Sequence, residues 1–196
     1  MKIVKKSFLP ILDYIYTNKK SWKKIVYPLT IALIALFCAL LFDMKKSIDL
    51  RSYFSQFIDS QISIIAILIS FSIAIITILV TTDNSNIQLL KRKNAEDKNF
   101  RPIKKNDKTT ERLSLFQVLL SNVTYGALVQ IIYLILLLVE SFVCNVIKIV
   151  YLKYMCSINI FFVLHILFIL YEAVVNIYFT FWKEPKNADT CIEPID

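Results

Sequence analysis

The chain has 196 residues, 57% of them hydrophobic, with a mean hydropathy of +0.59 and a formal net charge of +8. That is about one domain of length, and more apolar than the roughly 45–50% of a soluble domain. It points to a membrane protein and leaves no soluble fold to carry the basic surface that direct nucleic-acid binding needs. A single Gly beside 14 Phe speaks against a β-barrel and for helices.

Residues 1–24 carry seven lysines around an apolar patch of Phe8, Leu9, Ile11, Leu12, Ile15 and Tyr16. This is the composition of a basic amphipathic segment lying in the membrane interface, lysines toward anionic lipid. The first predicted span is 25–42, with Pro28 in its first turn, where a missing N–H is harmless, and Trp22 and Tyr27 as interfacial anchors. Asp43, Lys45 and Lys46 end it, and a short loop with Arg51 leads on.

The second predicted span, 61–82, reads QISIIAILISFSIAIITILVTT. It holds no charge, Pro or Gly over the roughly 20 residues that cross a bilayer core. Ser63, Ala66, Ser70, Ala74, Thr77 and Thr81 recur at steps of three or four, one face of a helix. In lipid, small and hydroxyl residues mark close helix contact, so this helix reads as the packing centre. The same face could instead line a narrow pore or form the seam of a homo-oligomer.

Residues 83–112 form a long cytosolic linker. The helix is expected to run past Thr82 and to end before Pro102, and Thr109 or Thr110 can cap the next one. Lys91, Arg92, Lys93, Arg101, Lys104 and Lys105 are its candidate contacts to a protein partner or to lipid. A connection this long in a small protein is a candidate docking surface.

The third predicted span is 113–139, with Asn122, Gly126, Gln130 and Tyr133 on one face. Glu140 and the apolar residues from Phe142 to Tyr151 blur its end, where a surface or re-entrant helix is one reading. The fourth span, 157–182, carries His165, Glu172 and Asn176 on one face, and a short acidic tail (183–196) follows. Eighteen of the 23 Lys and Arg fall in the N-terminal, 83–113 and C-terminal segments. That bias puts both termini in the cytoplasm. The fold class is therefore an all-α integral membrane protein, a four-transmembrane-helix bundle with both termini inside.

A carboxyl as deep as Glu172 costs about 2.5–3.5 kcal/mol to insert, so it faces a partner or water. Two readings stand: a proton, ion or ligand contact with His165 as a titrating neighbour, or a polar clamp to Asn122, Gln130 or Tyr133. His165 alone also suits a packed core. Among Cys38, Cys144, Cys156 and Cys191 there is no CxxC; Cys144 and Cys156 could pair across an outer loop or remain separate thiols. HExxH, GxSxG and phosphate-binding Gly motifs are missing from the sequence, and no enzyme activity, cofactor or metal is expected.

The run ISFSIAIITILVTTDNSNIQLLK (Ile69 to Lys91), followed by a basic linker and two further spans, resembles the small four-span inner-membrane proteins of bacterial anti-phage defence systems. It is most like the membrane subunit of Kiwa. The resemblance covers residues 61–182 and is one of hydropathy texture, so it transfers no functional residue. It implies a multi-pass protein of the bacterial inner (cytoplasmic) membrane that senses infection or membrane perturbation and relays it to a cytosolic partner. The alternatives are a pore-forming effector that depolarises the infected cell, and a small ion channel or transporter.

Overall fold

The computed structural model describes residues 11, 14–15, 21–41, 50–82, 85–92, 103–106, 109–111 and 113–182. Four long helices dominate: α1 (Ser21–Leu41), α2 (Leu50–Thr81), α4 (Leu115–Val143) and α5 (Ile149–Trp182). A short helix, α3 (Ser85–Arg92), and a two-stranded antiparallel ribbon, β1 (Ile103–Asn106) with β2 (Thr109–Glu111), lie between α2 and α4. Each long helix is long and apolar enough to cross a membrane. The chain is an all-α, four-span bundle.

The helices outrun the predicted spans. α2 has 32 residues and α5 has 34, about 48 and 51 Å at 1.5 Å per residue, against a hydrocarbon core of about 30 Å. Gln56, Asp59 and Ser60 lower the hydropathy before residue 61, and Lys153 lowers it before residue 157. None of them breaks a helix, since no Pro or Gly intervenes. The third span likewise runs on to Val143, and a five-residue turn (144–148) stands where a surface helix or re-entrant piece is one reading of the sequence. Arg51, at the start of α2, closes that turn by donating to the carbonyls of Asn145 and Ile147. Both carbonyls belong to the turn between the two helices, beyond the end of α4 at Val143.

Local signals explain the other boundaries. α2 stops at Thr81 and α3 is separate, so the helix does not run on unbroken. Thr109 and Thr110 lie in β2, and the cap of α4 is Ser114. Its hydroxyl accepts from the Gln117 N–H at 3.2 Å, and Gln117 accepts from the Ser114 N–H at 2.9 Å. That reciprocal pair satisfies two N–H groups otherwise left over at the helix start.

The packing centre is α4. α1 packs on α5, α5 on α4, and α4 on α2, with α3 laid against α4. The core runs through Phe54, Ile58 and Ile65 of α2, Tyr125, Val129, Tyr133 and Leu137 of α4, and Leu152, Ile166 and Ile169 of α5. Gly126 lets α5 approach closely, since a Cβ there would lie 3.0 Å from the Ile169 side chain. The small-residue face of α2 is not the in-chain contact. Ser63, Ala66, Ser70, Ala74, Thr77 and Thr81 are all exposed, and α2 instead buries Phe54, Ile58, Ile65, Ser72 and Leu79. The hydroxyls of Ser63, Ser70, Thr77 and Thr81 donate to carbonyls four residues back on the same helix. That satisfies them without a neighbouring helix. The α4 face of Asn122, Gly126, Gln130 and Tyr133 is buried throughout. Cys144 and Cys156 are free thiols, as is Cys38.

Candidate functional site

The site begins with Pro28. α1 starts at Ser21, so Pro28 sits inside the helix rather than in its first turn. Proline has no N–H, so the carbonyl four residues earlier loses its helical partner. That residue is Lys24. His165 of α5 fills the vacancy, its Nδ1 lying 3.3 Å from the Lys24 carbonyl oxygen. A carbonyl only accepts, so Nδ1 carries the proton. In the neutral ring Nε2 then accepts from the Tyr125 hydroxyl, 2.9 Å away on α4. His165 is buried, with Phe161 stacked at 5.7 Å. One proline thus creates the polar contact that ties α1 to α5 and, through Tyr125, to α4.

The Lys24 side chain completes the group. Its Nζ lies 2.5 Å from Oε2 of Glu172, with both side chains about 20% exposed. Glu172 is two turns beyond His165 on the same face of α5, as the spacing predicts. Its ion-pair partner is on α1, and the clamp to Asn122, Gln130 or Tyr133, one of the two readings, is not made among the described residues. At this level α1 and the N-terminal segment supply the partners of Glu172, while α4 meets the same face of α5 at Tyr125.

Tyr14 closes the network from the N-terminal side. It is 1% exposed and stacks on Tyr125 with ring centroids 4.0 Å apart and an angle of 9°. Its hydroxyl donates to Glu172 at 3.3 Å, and Lys24 donates to that hydroxyl at 3.4 Å. Burial first, and then the charge of Glu172, push its phenol above the ordinary value. Tyr14 therefore stays a donor. Within the segment read as basic and interfacial, Tyr14 is buried and Ile11 packs on the core, while Ile15 is exposed. Phe8, Leu9, Leu12 and Tyr16 lie outside the described residues.

Five residues from three long helices and the N-terminal segment thus converge where α1 begins. Sequence reasoning singled out His165 and Glu172 but missed Tyr14, Lys24 and Tyr125. The available signal was Pro28, whose position inside a helix demands a donor for Lys24.

The remaining candidates divide. Gln130 accepts from Ser72 of α2 at 3.0 Å. Tyr133 stacks on Phe162 at 5.2 Å. Asn122 is buried with its Nδ2 unpartnered among the described residues. Lys91 lies over the Phe116 ring at 5.4 Å and is exposed, as is Arg92. The side chains of Lys104, Lys105 and Asn176, and Lys93 and Arg101 altogether, lie outside the described residues. No protein-family model, curated protein or solved structure matches the chain.

Proposed function

We propose that this chain is the membrane subunit of a bacterial anti-phage defence system. It sits in the cytoplasmic membrane with both termini inside and relays a perturbation of that membrane to a cytosolic protein through residues 83–112. The observation that carries the relay is the seating of α3. Ile87 and Leu90 are buried against α4, while Lys91 and Arg92 at its end remain exposed. A helix packed on α4 follows a shift of α4. The Lys and Arg excess on this side supports its cytoplasmic placement, and the anti-phage setting follows the resemblance of residues 61–182. Deleting Lys91 to Lys108 is expected to abolish co-purification of the cytosolic partner while the chain still inserts in the membrane. Retained co-purification would sink the docking role.

A second reading draws on the exposed α2 face. Ser63, Ala66, Ser70, Ala74, Thr77 and Thr81 are turned outward in a single chain, so identical faces from several copies can meet there. Small residues favour such close contact in lipid, and a homo-oligomer closed on that face would be the pore-forming alternative.

A further inference from the structure

Glu140 lies at the opposite end of the bundle, in the last turn of α4. It is 1% exposed. Among the described residues its side chain hydrogen-bonds one polar group: Asn159 of α5, itself 0% exposed, donates from Nδ2 to Oε2 at 2.6 Å. The other head of that amide, Oδ1, is buried without a donor among the described residues. Three features converge. No cation pairs with Glu140 among the described residues, and a buried carboxylate without one is costly. The C-terminal end of a helix carries partial negative charge, which opposes a carboxylate there. The neighbouring amide lacks one donor, which only a hydrogen on the acid or on another group can supply.

We propose that Glu140 is a proton-binding site, held as a neutral acid–amide pair with Asn159. A carboxyl presents two oxygens side by side, and an amide presents an oxygen beside an N–H. Adding a proton to Oε1 forms an O–H bond and discharges the carboxylate. The proton comes from bulk solvent. The new O–H donates to Oδ1 of Asn159, while Nδ2 keeps donating to Oε2. The ring of two hydrogen bonds satisfies the orphaned oxygen and removes the buried charge in one step.

The surroundings fit a neutral group. The titratable residues Tyr133 on α4 and Cys156 on α5 pack in the same core, and both are uncharged at neutral pH in their ordinary state. Cys144 follows in the turn, and its thiol donates to the Ser141 carbonyl. On α2, Arg51 is engaged by the turn carbonyls, and Asp59 is exposed. Lys148, exposed, and Lys153, half-buried, also lie at this end. The site is separate from the Lys24–Glu172 network and stands whether or not the relay reading holds.

The test is infrared difference spectroscopy of the purified full chain at pH 7, where an ordinary glutamate, with a pKa of about 4.3, is ionised. Wild type minus Glu140→Gln is expected to show the C=O band of a protonated carboxylic acid. The Gln variant, which offers the same donors and acceptors, is expected to melt within about 3 °C of wild type. A difference spectrum showing a lost carboxylate pair instead would overturn the proposal. Should the Gln variant fail to fold, Asn159→Ala gives the second reading. Removing the amide is expected to raise the frequency of that carboxylic band, and a spectrum without the band in either chain overturns the assignment.

Discussion

Lys24→Glu and Glu172→Lys are each expected to lower the unfolding free energy of the bundle by about 3 kcal/mol, and the double exchange to recover at least half of the summed loss. The magnitude falls between two limits. An exposed ion pair contributes about 0–1 kcal/mol, whereas stripping one partner from a buried pair costs about 3–5 kcal/mol. With both side chains about 20% exposed, this pair sits toward the buried limit. Each single exchange also places two like charges at contact and turns the Tyr14 hydroxyl toward the wrong partner. Reversible unfolding of the four chains in mixed micelles gives the cycle. Strictly additive losses would mean that the two charges do not interact across α1 and α5.

Gly126→Leu is expected to destabilise by about 3 kcal/mol, the upper part of the range for overpacking a filled interior. Even a bare Cβ meets the Ile169 side chain at 3.0 Å, and Ile169 is itself buried in the main core, so the larger side chain has nowhere to go. Gly126→Ala is a different case. Alanine's helix propensity gains about 1 kcal/mol over glycine, which offsets the tight contact and leaves a change near zero. Ile169→Ala should relieve Gly126→Leu by making room. If Leu is tolerated as well as Ala, the α4–α5 contact at this level is looser than the distance implies.

The number, order and polar faces of the spans were legible because hydropathy over 20 residues is a strong signal. His165 and Glu172 could be placed on one face from their spacing alone. Which face of α2 packs inward could not. Its sides are nearly all Ile, Leu, Val or Phe, so the buried stripe of Phe54, Ile58, Ile65, Ser72 and Leu79 leaves no amphipathic contrast to read. The small-residue face stood out only because it differed from that background. Tyr14 was hidden for another reason: its burial depends on Tyr125 and Glu172, more than 100 residues away in sequence, and local composition there resembles any basic interfacial segment. Glu140 read as a blur at a span's end, since the amide that receives it lies on α5 beyond the turn.

The most direct measurement is the membrane potential of cells expressing this chain alone, followed by phage challenge with and without the cytosolic partner. A relay predicts a normal potential without the partner and protection only when the partner is present. Depolarisation by the chain alone would contradict the relay and point to a pore assembled on the exposed face of α2.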